Sequence, residues 1–70
     1  MIKTSRKRQR ITQKQLAQRC KLTQSYISKL EGTSETSNPT IKQIVIIANV
    51  LKLNAYELSY WFIDKELNKN

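Results

Sequence analysis

Histidine is missing from these 70 residues, and cysteine, glycine and proline occur once each, so several chemistries drop out at once. Without histidine, and with one thiol at Cys20, the chain has too few nitrogen and sulfur ligands for a zinc site. A single cysteine also excludes an internal disulfide framework and suits a reducing, intracellular setting, where a small buried apolar role is the simplest one for Cys20. One glycine and one proline are too few for a sheet built from tight hairpins. No apolar run approaches the roughly 20 residues needed to cross a bilayer. The start "MIKTSRKRQR" is basic but has no apolar segment behind it, so it does not read as a signal peptide. The expectation is a soluble, cytoplasmic protein with no cofactor and no membrane partner.

Negative charge is the other scarcity. Thirteen Lys and Arg face five Asp and Glu, a net charge of +8. Lys3, Arg6, Lys7, Arg8, Arg10, Lys14, Arg19, Lys21 and Lys29 all precede the first acid, Glu31. Such a run implies a disordered basic arm or a polyanionic partner. The arm reading fails after Ile11, where apolar residues begin to recur at helical spacing, and nucleic acid becomes the favoured partner. An enzyme is disfavoured, because there is no histidine, no carboxylate pair in a cleft-forming context and no glycine-rich phosphate loop.

What is present is a succession of helix starts. A chain of this length supports one small core, so residues 1–70 read as a single domain. In "TQKQLAQRC", Thr12 and Gln15 form a capping box, and Leu16, Ala17 and Cys20 a buried stripe. After the short "KLT", Thr23 caps a second helix from Gln24 to Glu31, with Leu22, Ile27 and Leu30 toward a core. Two short helices so close together make a helix-turn-helix unit over about 12–31. Gly32 is a plausible helix end, and "TSETSNP" a polar loop. Thr40 and Gln43 form a second capping box, opening "IKQIVIIANVL". There Ile41, Ile44, Ile47, Ala48 and Leu51 share one face and Val45 and Ile46 widen it, which implies a helix central to the fold. Asn54 with Glu57 opens a last helix at about 55–67, "AYELSYWFIDKEL". A weaker helix from Ile2 to about Gln9 precedes them all. The fold class is all-α, a compact five-helix arrangement.

Outward from the second helix of the unit point Gln24, Ser25, Ser28 and Lys29, either a solvated face or a reading head. The strings "RITQKQLAQRCKLTQSYISKLEG" and "NPTIKQIVIIANVLKLNAYEL" resemble the DNA-binding domain of phage repressors and Cro-type (Xre-type) regulators, whose fold is that of the phage lambda repressor. The resemblance covers about residues 6–58. It rests on T-Q-x-x-L-A, an apolar-x-T/S-Q turn, Y-I-S-x-L-E and an N-P-T helix start, all in register.

The resemblance implies that Gln24–Glu31 is a recognition helix lying in the major groove of double-stranded DNA, and that homodimers span half-sites about 34–36 Å apart. Gln24, Ser25 and Lys29 match positions that touch base edges, with Ser28 on the same face. Gln13, Thr23 and Tyr26 match positions near phosphates, and Arg6 with Glu31 a buried ion pair. The chemistry suits these roles. A glutamine amide matches adenine N6 and N7, a lysine can donate to guanine O6 and N7, and a serine is permissive. Thr12 and Thr23 each begin a helix whose free N–H groups can hold a phosphate, while Arg10 and Lys14 add attraction indifferent to sequence.

Lys21 and Lys52 stand where this family commonly has glycine, so looser turns are expected there. The segment 33–38 is longer than expected, and Glu35 would oppose a phosphate. In "YWF", Phe62 continues the Leu58 stripe inward, leaving Tyr60 or Trp61 for a dimer interface or for capping a small core. The leading reading is a dimeric transcriptional repressor on a palindromic operator. The alternative is an antitoxin or other protein-binding module that also binds its own promoter.

Overall fold

The computed structural model describes residues 1–32 and 38–68. Among them five helices follow in order: α1 (Ile2–Arg8), α2 (Gln13–Cys20), α3 (Gln24–Glu31), α4 (Ile41–Leu51) and α5 (Ala55–Leu67). The long segment 33–38, with Glu35, lies mostly outside the described residues.

Four helices begin on side-chain caps. Thr12 Oγ1 accepts from the Gln15 N–H at 3.0 Å while Gln15 Oε1 accepts from the Thr12 N–H at 2.9 Å. Thr40 and Gln43 repeat this box at 3.0 and 2.9 Å. Thr23 Oγ1 accepts from the Tyr26 N–H, and Asn54 Oδ1 from those of Tyr56 and Glu57. Each cap stabilises its helix by about 1 kcal/mol. α1 starts without one.

Three turns end helices in the same way. Arg10, Lys21 and Lys52 have φ of 59°, 58° and 57°, the left-handed region. In each, the next residue's N–H reaches back five positions, Ile11 to Arg6, Leu22 to Ala17 and Leu53 to Ala48, at 2.8–3.0 Å. The looser turns expected at Lys21 and Lys52 are not found, and Arg10 is a third case. A left-handed L-residue costs about 1–2 kcal/mol. The paired hydrogen bonds, together with the apolar residue that follows, offset it. Ile11 is buried, and Leu22 and Leu53 pack against the core. Gly32, by contrast, ends α3 in extended backbone (φ −73°, ψ 156°).

α4 packs against α1, α2 and α5 and so occupies the middle. Its inward residues are Ile44, Ile47, Ala48 and Leu51. Ile41 does not join them and is 78% exposed. The apolar face is continuous in sequence, but the neighbouring helices cover it only from Ile44 onward. Leu16, Ala17 and Cys20 from α2, Ile27 and Leu30 from α3, and Leu58 and Phe62 from α5 complete the core with Ile2. Two polar ties close the ends: Gln9 Nε2 donates to the Leu51 carbonyl at 2.6 Å, and Lys65 Nζ to the Gly32 carbonyl at 2.7 Å. Among the described residues no helix is long and apolar enough to cross a membrane.

Candidate nucleic-acid interface

The α2–α3 unit presents its polar residues as a consequence of how it packs. Ile27 and Leu30 hold α3 against the core, which turns Gln24, Ser25, Ser28 and Lys29 to solvent on the opposite side. These four and Gln13 line a concavity of about 400 Å³. The expected base-reading set is therefore one continuous surface, with a glutamine from α2 at its wall.

Behind that surface is a buried anion. Arg6 Nε donates to Glu31 Oε2 at 2.7 Å and Nη2 to Oε1 at 3.2 Å, with the two side chains 10% and 4% exposed. Arg6 Nη1 donates to the Ile11 carbonyl at 2.9 Å, so the guanidinium also holds the α1–α2 turn. Gln13 Nε2 adds a third bond to Glu31, at 2.9 Å. Burial by itself would raise the Glu31 pKa. The hydrogen bonds from Arg6 and Gln13 and the charges of Arg6 and Lys3 outweigh it and hold the carboxyl below its ordinary value. The pair ties α1 to the end of α3 and fixes Gln13 at the edge of the concavity.

Arg10, Thr12, Lys14 and Thr23, expected near phosphates, are exposed. Thr12 and Thr23 have their hydroxyl oxygens committed to capping, so any anion there would be met by the remaining helix N–H groups. Tyr26 is half-buried, and its hydroxyl donates to Gln43 Oε1 at 2.9 Å. Burial raises its pKa above the ordinary value. Lys3, Lys7, Arg8, Arg19, Lys21 and Lys29 are also exposed, so apart from Arg6 the positive charge of this half of the chain faces solvent.

The two aromatics named for an interface part company. Tyr60 is exposed, whereas Trp61 is half-buried, edge-on to Phe62 with ring centroids 4.9 Å apart and the Lys65 ammonium 4.5 Å over its ring. Tyr60 instead belongs to a row with Tyr56, Ile63 and Leu67, all 58–87% exposed. At about 100° per residue these four fall within a sector of about 60°, opposite Leu58 and Phe62. The 4-3-4 spacing is visible in the sequence, whereas the adjacent residues of "YWF" lie on different faces of the helix. The bonds from Tyr26 to Gln43 and from Lys65 to the Gly32 carbonyl were not readable, because each joins residues far apart in the chain.

Among the described residues no group of three or more His, Cys, Asp or Glu is placed to hold a metal. A protein-family model described as helix-turn-helix matches residues 2–58. No curated protein and no solved structure matches the chain significantly.

Proposed function

Because the chain belongs to the Xre/Cro-like helix-turn-helix family of DNA-binding regulators, we propose that it is a sequence-specific, dimeric repressor reading a palindromic operator through the major groove with α3. One observation carries this reading. Gln24, Ser25, Ser28 and Lys29 stand exposed on a helix whose other face is buried, and they share a concavity with Gln13. Gln24 would take adenine N6 and N7 and Lys29 guanine O6 and N7, with Ser25 and Ser28 adjusting to either strand. Phosphates on both sides would meet Arg10, Lys14, Gln13 and the starts of α2 and α3 at Thr12 and Thr23, which fix register without reading sequence. The chain acts on DNA in the cytoplasm and does no chemistry on it.

Dimerisation is supported by the exposed row on α5. Four large side chains on one stripe of a 13-residue helix are costly to leave in water. A two-fold axis beside the stripe would present the same patch twice, with Tyr60 near its middle. Two recognition helices would then address half-sites one helical turn apart. The same row could seat a different protein, as an antitoxin would require. Sedimentation of the isolated chain separates the readings, since only self-association makes it dimeric alone. Hydroxyl-radical footprinting on a duplex enriched by the protein from a randomised pool tests the reading as a whole. Two protected half-sites related by a dyad are expected, and a single asymmetric patch would contradict it.

A further inference from the structure

Between α3 and α4 lies a groove of about 660 Å³, bordered by Lys21, Thr23, Asn38 and Thr40 and walled by Tyr26 and Gln43. α3 packs on α1 and α2, and α4 on α1, α2 and α5, while direct packing of α3 on α4 is sparse. The groove leaves the first turn of α3, which carries Gln24 and Ser25, with little apolar contact toward α4. A polar link spans it. Gln43 Oε1 accepts from the Tyr26 hydroxyl at 2.9 Å and, at the same length, from the Thr40 N–H. A single amide oxygen thus closes the capping box of α4 and holds a side chain of the recognition helix.

We infer that Gln43 is a positioning residue for sequence reading, and that Tyr26 acts on DNA through Gln43 and not by bonding a phosphate itself. The inference rests on the DNA-reading function proposed above. A phenol carries one proton, and phosphate oxygens only accept, so Tyr26 cannot donate to Gln43 and to a phosphate at once. Thr40 Oγ1 accepts from the Gln43 N–H at 3.0 Å, which pins the acceptor from the α4 side. A bidentate amide-to-base contact tolerates little misplacement. Attraction between exposed lysines and phosphates tolerates a great deal. Loosening the first turn of α3 therefore lowers affinity for the right sequence while leaving affinity for arbitrary DNA in place.

The test is Tyr26→Phe in three backgrounds: wild type, Gln43→Glu, which keeps an acceptor, and Gln43→Ala, which removes it. Gln43→Met replaces the alanine variant should that one not fold. Each protein, shown helical by circular dichroism at the assay temperature, is titrated at one salt concentration. The probes are a duplex enriched by the wild-type protein from a randomised pool and a duplex of arbitrary sequence. Loss of the hydroxyl is expected to weaken the enriched duplex about fivefold in the wild-type and Gln43→Glu backgrounds, with no further loss in Gln43→Ala. Within each background, loss of the hydroxyl should leave binding to the arbitrary duplex unchanged. Equal weakening on both duplexes in every background would make Tyr26 a phosphate ligand and overturn the inference, as would no effect on either. A wild-type protein that prefers no duplex would remove the underlying reading as well, so the two failures are distinguishable.

Discussion

Arg6 and Glu31, 25 positions apart, meet at 2.7 Å through Nε and Oε2, and Gln13 donates to the other carboxylate oxygen. One buried anion thereby joins α1, the start of α2 and the end of α3. Glu31→Ala would leave the guanidinium buried without its counter-charge, and a loss of about 3–5 kcal/mol is expected in urea unfolding. Replacing both partners, Arg6→Met with Glu31→Leu, should cost much less, because no charge is then stranded.

The same carboxylate sets an acid limit. Its folded pKa lies below the ordinary carboxyl value, so the stability it contributes is present above about pH 4.5 and is lost as pH falls through the folded value. Unfolding midpoints should drop on acidification below that point. The Glu31→Gln protein should start lower and show a shallower fall over the same range.

At Lys21 and Lys52 the left-handed backbone penalises a side chain. Glycine at either position should raise stability by about 0.5–1 kcal/mol, the relief of strain less the extra freedom of the unfolded chain. Lys52→Gly is expected to leave DNA affinity unaltered. Lys21→Gly should lower it on all sequences, since a charge beside the α3–α4 groove is lost. Chemical denaturation with titration on arbitrary DNA reads both effects.

Legibility in the sequence followed the range of the interaction. The capping boxes Thr12–Gln15 and Thr40–Gln43 were readable because both members lie within one turn. The core residues Leu16, Ile27, Ile47 and Leu58 followed from helical period. Arg6 with Glu31 came only through the family resemblance, since nothing local links them. Gln13 to Glu31, Tyr26 to Gln43 and Lys65 to Gly32 each join residues on different elements, and no spacing rule reaches them. Ile41 misled because periodicity shows which face is apolar but not how far the neighbours extend along it. The turns at Lys21 and Lys52 are not legible in residue type, because two hydrogen bonds and an apolar anchor hold the left-handed backbone there.

On α5 the two aromatics should separate experimentally. Tyr60→Ala and Ile63→Ala are expected to weaken self-association by about 2 kcal/mol each while helical content is kept. Trp61→Ala should instead lower folding stability by about 2 kcal/mol, through its lost contacts with Phe62 and Lys65, at little direct cost to the dimer. Sedimentation velocity with thermal circular dichroism distinguishes them.

Whether the exposed face of α3 reads bases is decided by one comparison. Wild type, Gln24→Ala, Lys29→Ala and Lys14→Ala are titrated at equal salt on the enriched duplex and on arbitrary duplex. Gln24→Ala and Lys29→Ala should lose about 1–3 kcal/mol on the enriched duplex and almost nothing on the other, whereas Lys14→Ala should weaken both alike. If Gln24→Ala and Lys29→Ala also weakened both duplexes alike, α3 would be a surface that holds DNA without reading it.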